Sequence, residues 1–381
     1  MTIGIDARFF GPRAKGLGRY TQKLVEELEK LDTQNNYVIF LRAENFNDYQ
    51  PQNEKFKKAL ADYRWYTLAE QIFFPAKIYR QKTDLMHFPH FNAPIFYFRP
   101  FVVTIHDLIL RHFPTRRAST LGPFAYWFKH LAYRLVIWAA LKRAKKIITV
   151  SEYVKQDIIK HFRVEPGKIE VTYEGVSGGG LKQEVPSSGT NLENCGIKKP
   201  YLLYVGNAYP HKNLERLIEA FGILVNDYKK DFQLVLVGED DYFYRRLKLS
   251  NTSILTSMIV SARVVFAGFV PDKELAIFYQ NASAYAFPSL CEGFGLPPLE
   301  AMACGVPVVC SGATCLPEIL DSAALYFDPH DPKDMAEKIN QVLSDEGLRR
   351  ALLIRGFEQI KKYSWQKMAK ETLKIYLANK A

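Results

Sequence analysis

Apolar residues in this chain come in short blocks separated by amphipathic stretches. The runs at 2–6, 37–41, 85–88, 101–105 and 146–150 are too short for helices and rich in Val, Ile and aromatic residues, which predicts strands. Between them, helical periodicity predicts helices at about 17–31, 122–144 and 151–162, and Ser151 is placed to cap the last of these. The pattern lapses through Ser177-Gly-Gly-Gly180 and Pro186-Ser-Ser-Gly-Thr190, a Gly/Ser-rich stretch of linker composition. It resumes with strand-like runs at 201–205, 232–237, 264–267, 284–287 and 306–309, each followed by helix-like sequence, and the tail reads as helix. Two such series around a linker predict an α/β protein with two doubly wound Rossmann-like domains facing each other across a cleft. The expected boundaries are a first domain at 1–176, a linker or mobile loop at 177–198, a second domain at 199–356, and a helical tail at 357–381 packing back on the first domain.

Composition is consistent with that division. A chain of 381 residues that is 48% apolar can bury two separate cores. The opening Met1-Thr-Ile-Gly-Ile-Asp6 enters a strand directly and does not resemble a signal peptide, so the expected location is cytoplasmic. Five cysteines without a Cys-x-x-Cys pair read as reduced thiols, and no metal site is expected from them. The charge is uneven. Residues 1–175 hold 28 Lys+Arg against 17 Asp+Glu, and the remainder holds 23 of each, so the first half carries the whole excess of +11. Such asymmetry points to an anionic surface or substrate, and no nucleic-acid recognition motif accompanies it. The stretch 122–144 is too charged for a membrane span. It reads as a helix packed in the first domain or as a surface helix at a lipid interface, with Lys142, Arg143, Lys145 and Lys146 as the basic group near its end.

Four clusters fall on loops after predicted strands, where α/β domains bind ligands. The segment 292–300, Glu-Gly-Phe-Gly-Leu-Pro-Pro-Leu-Glu, reads as a tight loop entering a helix. Its glycines permit close backbone approach, and Pro297 and Pro298 suit a first helical turn. Anionic oxygens suit such a loop while carboxylates suit hydroxyl donors, so Glu292 and Glu300 fit a ligand with both phosphate and sugar hydroxyls. The segment also reads as a plain strand-to-helix turn with capping acids. Lys212, in Pro210-His-Lys-Asn213, stands before a predicted helix where it can meet phosphate or remain solvated. His106, beside Asp107 at a strand end, reads as a proton-transfer or hydroxyl-orienting group, or as a structural histidine. The Gly16-Leu-Gly18-Arg-Tyr20 loop is neither a dinucleotide fingerprint nor a P-loop and could equally be a turn.

Together with Tyr204-Val-Gly206, Phe266-Ala-Gly268-Phe-Val270, Gly305-Val-Pro307 and Pro317-Glu318, these segments resemble, over nearly the whole chain, the retaining glycosyltransferases of family 4, or glycosyl transferases group 1, which have the GT-B fold. The resemblance implies that the second domain holds a nucleotide-diphosphate sugar and the first receives the acceptor. It implies that Glu300 binds the ribose hydroxyls and Glu292 faces the transferred sugar. Backbone N–H groups in the loop of Gly293, Phe294, Gly295 and Leu296 would approach the sugar hydroxyls and diphosphate. Lys212 would neutralise the departing diphosphate, Gly16 to Gly18 would border the phosphates and sugar, and His106 would contact the sugar near the reacting carbon. Gly206 and Asn207 would lie in the donor loop, and Val270 with its neighbours would contact the base. Many relatives carry an arginine where this chain has Asn207, which leaves Arg8, Arg13 and Arg19 as candidates for a second phosphate cation.

The resulting expectation is a retaining hexosyltransferase of mannosyltransferase type, taking mannose from GDP-mannose to a glycan or lipid-linked acceptor in cell-surface polysaccharide assembly. No cofactor and no metal is expected, because the family usually needs none and no Asp-x-Asp segment occurs. The expected partners are a nucleotide sugar, that acceptor, and an anionic membrane surface meeting the basic first domain, with no nucleic acid. The alternatives are another GT-B activity, such as a nucleotide-sugar epimerase or phosphorylase, or a non-catalytic two-domain sugar- or nucleotide-binding protein.

Overall fold

The apolar runs do form strands, and every pairing between them is parallel. The computed structural model describes residues 1–114, 123–176, 192–198, 200–254, 260 and 262–379. The first sheet contains β1 (Thr2–Asp6), β2 (Asn36–Leu41), β3 (Phe56–Leu60), β4 (Leu85–Phe88), β5 (Phe101–Ile105), β6 (Lys146–Thr149) and β7 (Ile169–Val171), in the order β3-β2-β1-β4-β5-β6-β7. The second contains β8 (Tyr201–Val205), β9 (Gln233–Val237), β10 (Val264–Gly268), β11 (Ala284–Phe287), β12 (Val308–Ser311) and β13 (Ala324–Phe327), in the order β10-β9-β8-β11-β12-β13. Central strands such as β8 and β11 are buried along almost their whole length, as expected when helices cover both faces of a parallel sheet. Each sheet reverses direction once, between β1 and β4 in the first and between β8 and β11 in the second. The loops leaving those strand pairs are where a doubly wound fold places a ligand.

The chain divides into two units, Met1–Gly175 with Tyr363–Ala381, and Val176–Lys362. Two expected boundaries shift. The helix Glu346–Ile360 runs through position 357, and the change of unit comes at Lys362–Tyr363, just before Ser364 caps the helix Trp365–Ala378 through the N–H of Lys367. Helical periodicity continues on both sides of that break, so the apolar pattern did not mark it. Residues 192–198, expected in the linker, form a turn of 3-10 helix at Leu192–Cys195 with Ile197 buried, and Gln233 of β9 bonds to Lys198 and Gly196. The Gly/Ser-rich part of the expected linker, 177–191, lies outside the described residues.

In the first unit the terminal helix Trp365–Ala378 packs on the helix Lys15–Leu31 and buries Trp365, Met368, Ala369, Thr372, Ile375 and Tyr376. Gly175 passes so close to its start that a Cβ there would stand 2.1 Å from the backbone nitrogen of Trp365. A buried polar chain ties the helix to the sheet. The Tyr376 hydroxyl lies 2.6 Å from Nδ1 of His87 on β4, Nε2 of His87 lies 2.8 Å from Oγ1 of Thr104 on β5, and that oxygen lies 3.2 Å from the hydroxyl of Tyr20. Burial, and then the neighbouring His106, push His87 down to about 3, so it stays neutral and can donate through one nitrogen while accepting at the other. Tyr376→Phe should therefore leave one ring nitrogen of His87 buried without a partner, at a cost of about 1–3 kcal/mol. Urea unfolding followed by circular dichroism should show an earlier midpoint for the variant, and an unchanged midpoint would remove this chain as a tie between helix and sheet.

Candidate functional site

The loops that leave β8 and β11 meet in a single ion pair. Nζ of Lys212 lies 2.5 Å from Oε1 of Glu292, with both side chains mostly buried. Lys212 ends a 3-10 turn, Pro210–Lys212, that carries the chain from β8 into the helix Leu214–Asn226. Glu292 stands in the loop between β11 and the helix Leu296–Ala303. Its backbone N–H donates to Oγ1 of Thr314, which is held at φ 57 in the loop after β12. A β-branched residue in that conformation is strained, and such strain persists only where the surroundings enforce it.

Asn213 joins these loops. It adopts the left-handed conformation at φ 62, and its Nδ2 donates to the carbonyls of Pro288 at 3.1 Å and Pro329 at 2.7 Å, beyond β11 and β13. Its Oδ1 accepts from Arg216, and the backbone N–H of Leu290 donates to the carbonyl of His211. Beneath Gly206, three tyrosines on neighbouring strands and a helix form a floor. The Tyr204 hydroxyl donates to the carbonyl of Asn207, that of Tyr244 to the carbonyls of Gly206 and Val237, and that of Tyr285 to the carbonyl of Val205. Burial pushes His211 down to about 4, with the Lys212 charge adding to the shift, so His211 is neutral beside the ion pair.

Gly295 turns the chain into its helix at φ 90, and a Cβ there would meet Leu316 at 2.8 Å. Pro297 and Pro298 remove two of the N–H groups that a helix start ordinarily presents. The N–H groups of Gly295 and Leu296 meet no acceptor among the described residues, and they are the donors this turn has to offer an anion. Gly293 and Phe294 are buried in the same loop. Glu300 lies one turn along, with Oε2 accepting from the Tyr279 hydroxyl at 3.4 Å. Val270 is buried where the chain leaves β10, next to Phe269, which is 73% exposed.

In the first unit the sequence candidates separate. Lys15 already begins a helix, so Gly16 and Gly18 lie in its first turn rather than in a loop. Open space stands above Gly16, whereas a Cβ on Gly18 would run into the carbonyl of Gly11 at 2.0 Å, so Gly18 is required for packing. Arg8 is excluded as a phosphate cation. It is 1% exposed and holds Asp6 in two bonds of 2.7 Å, Glu70 at 2.7 Å and the face of Phe74. Burial opposes its charge, but Asp6 and Glu70 outweigh that and raise its pKa. Arg13 donates to the carbonyl of Glu44, and Arg19 is half-buried.

Both ring nitrogens of His106 are engaged, Nδ1 with Glu174 at 3.0 Å and Nε2 with the carbonyl of Pro89 at 2.9 Å. Two acceptors on one ring require two N–H groups, which is the imidazolium form. Burial works against that charge, but the bond to Glu174 and its negative charge overcome it and raise the pKa of His106 above its ordinary value. In this arrangement His106 can reach a sugar hydroxyl only by giving up one of these bonds, so its structural reading is the one the geometry favours. Glu174, Asn213 and Thr314 were not singled out as site residues from sequence. Apart from Arg216, which bonds to Asn213, their partners lie 22 to 116 positions away, and only the left-handed preference of Asn offered a local signal at 213.

The family described as Glycosyl transferases group 1 matches residues 193–359, and Glycosyltransferase Family 4 matches residues 14–177. O-antigen chain mannosyltransferase B of Escherichia coli is 30% identical over 381 residues, 95% of each chain. O-antigen chain mannosyltransferase RfbU of Salmonella typhimurium is 30% identical over 242 residues, 63% of each chain. Among solved structures, a sucrose-phosphate synthase from Thermosynechococcus elongatus aligns at a TM-score of 0.77 with 21% identity, covering 99% of this chain and 98% of that one. HepE of Anabaena in complex with UDP and glucose aligns at 0.73 with 17% identity, covering 99% of both. These structural likenesses bear on the fold.

The His106 geometry has a measurable consequence. A group whose folded pKa is raised contributes stability that is fully present below its unfolded value, about 6.5, and lost as pH rises through the higher folded value. NMR titration of the His106 ring should place its midpoint above 6.5, and Glu174→Gln should lower it. A midpoint at or below 6.5 in the unmodified protein would overturn the imidazolium assignment.

Proposed function

Because this chain belongs to glycosyltransferase family 4 and has the GT-B fold, we propose that it transfers mannose from GDP-mannose, with retention of anomeric configuration, to a glycan or lipid-linked acceptor in cell-surface polysaccharide assembly. The observation that carries the chemistry is the Lys212–Glu292 pair at the reversal point of the second sheet. Cleavage of a nucleotide sugar places negative charge on the departing diphosphate and positive character on the sugar. A fixed cation, N–H dipoles and a carboxylate beside one another meet both demands. Lys212 exchanges Glu292 for the diphosphate, assisted by the N–H groups of Gly295 and Leu296, while Glu292 turns to the sugar hydroxyls and Glu300 receives the ribose. The departing phosphate oxygen takes the proton of the incoming acceptor hydroxyl on the face it vacates, so no protein nucleophile is required. His106, held by Glu174 and Pro89, positions its surroundings. The choice of mannose is supported by the names of the relatives, both mannosyltransferases of O-antigen chains.

The acceptor part of the reading includes an anionic membrane surface on the cytoplasmic side. Among the described residues no helix is long and apolar enough to cross a membrane. The helix Pro123–Arg143 buries Ile137, Ala139, Ala140 and Leu141 towards its end, while Trp127, Phe128, Leu131, Leu135 and Trp138 are at least half exposed. Residues 127, 131, 135 and 138 lie along one stripe at helical spacing, with Arg134 beside it, a composition suited to the lipid interface. Half of the basic group expected near its end is engaged within the protein, while Lys142 and Lys145 are exposed. Arg143 is bonded to the carbonyls of Ile95 and Tyr97, and Lys146 to Gly167 and Glu170.

Two experiments test the two parts. With GDP-mannose and a glycan acceptor, product analysis by NMR should show an α-linked sugar formed with retention, and Lys212→Ala should lower kcat/KM by about 100-fold or more. Binding of GDP without turnover of any nucleotide sugar would instead favour a binding protein, and inversion of the anomer would end the retaining mechanism. Co-sedimentation with phosphatidylglycerol vesicles should fall at least about tenfold when Trp127, Phe128 and Leu131 are all replaced by alanine, while the GDP-induced thermal shift persists. Unchanged sedimentation would sink the membrane part alone.

A further inference from the structure

Three potential metal ligands converge in the first unit. Asp157 and His161 are one turn apart on the helix Glu152–Phe162, and His112 reaches them from the short helix Ile109–His112. Nε2 of His112 lies 2.6 Å from Oδ2 of Asp157, and Nε2 of His161 lies 3.2 Å from Oδ1 of the same carboxylate. One donor atom from each of the three lies within 4.8 Å of the other two. A tetrahedral divalent ion with bonds of about 2.0–2.1 Å holds its ligand atoms roughly 3.3 Å apart. Both histidine–carboxylate separations are shorter than that value and the third is no more than 4.8 Å, so enclosing an ion calls for small side-chain rotations.

We propose that His112, Asp157 and His161 form a binding site for a borderline divalent transition ion of the zinc or cobalt class, which straps the helix Ile109–His112 to the helix Glu152–Phe162. Two imidazoles and one carboxylate match the preference of such ions, whereas magnesium and calcium call for oxygen ligands throughout. Asp157 is 8% exposed, while both histidine side chains remain about a quarter exposed and line a cavity of about 1030 Å³, so the fourth position opens to solvent. The cavity is also lined by Arg111, Arg134 and Arg163. Three guanidinium groups oppose a dication, which limits affinity to a modest range and favours water or a small anion as fourth ligand. Without an ion, the carboxylate holds one imidazole on each oxygen, and this hydrogen-bonded triad is the competing account. Its ligands belong to the first unit and Lys212 and Glu292 to the second, and none of the three is used in the proposed glycosyl transfer, so a transfer that needs no metal is compatible with it.

Titration of the full chain, first freed of metal by chelator, with Co2+ distinguishes the two accounts. The expected result is one Co2+ per chain with the visible absorption of four-coordinate cobalt, and without the near-ultraviolet charge transfer that thiolate ligation would add. Asp157→Asn and His161→Ala should each weaken binding at least tenfold, while their GDP-induced thermal shift persists as a check on folding. His161→Cys supplies a substitute ligand and should restore binding together with the thiolate band. Absence of a one-to-one cobalt spectrum in the unmodified protein, or equal affinity in the Asp157→Asn and His161→Ala variants, would overturn the site and leave the hydrogen-bonded triad.

Discussion

Parallel strands cannot be joined by tight turns, and most of this molecule follows from that restriction. Each strand must be connected to the next by a crossover, so all the carboxyl ends of a sheet open on the same edge. Where the strand order reverses, two neighbouring crossovers leave on opposite faces and a crevice is left between their loops. In the second sheet that point lies between β8 and β11, and it brings together Lys212 and Glu292, separated by 80 positions. In the first sheet the corresponding point lies between β1 and β4. There the loops carry Arg8, Gly11 and Pro89, with His106 following the adjacent β5.

The two reversal points resolve their polar groups differently. In the second unit the cation and carboxylate are paired with each other but keep one edge accessible, and two N–H groups of the helix entry have no protein acceptor among the described residues. Such a pair is already partly dry, so an anion of another kind could replace the carboxylate on the same cation at little cost in desolvation. In the first unit Arg8, Asp6, Glu70 and Asn92 form a closed network with no such opening, and the His106 ring is held at both nitrogens. A closed network of this kind fixes geometry. It holds the loop after β1 against the helix Leu68–Arg80, which supplies Glu70, and leaves the space above Gly16 clear.

Residues outside the ion pair keep it in register. Asn213 spans the carbonyls beyond β11 and β13, Thr314 receives the N–H of Glu292, and the tyrosine hydroxyls satisfy the carbonyls around Gly206. Each bond closes off a buried backbone group that would otherwise cost about as much as a lost hydrogen bond. The loops are therefore held by side chains from other strands as well as by their own turns.

The sequence by itself determined the α/β class, the two parallel series, ten of the strands and the loops that carry Lys212, Glu292 and Glu300. Those features depend on local patterns: apolar blocks, a Ser cap at 151, and glycines and prolines at a helix entry. It did not reveal β3, where Lys57 and Lys58 interrupt an edge strand, nor the very short β7, nor β13, nor the helix Leu68–Arg80 with Pro75 inside it. Tertiary structure decided which charges are available. Arg8, Arg13 and Arg19 were interchangeable as phosphate cations in sequence, yet Arg8 is committed to Asp6 and Glu70. His106 kept two readings until Glu174 and Pro89 were found on its nitrogens, and His112, Asp157 and His161 showed no shared signal at all. The physical reason is the range of the interactions. Patterning acts within a strand or a helical turn, whereas a charge is governed by whichever groups the fold brings within a few ångströms of it.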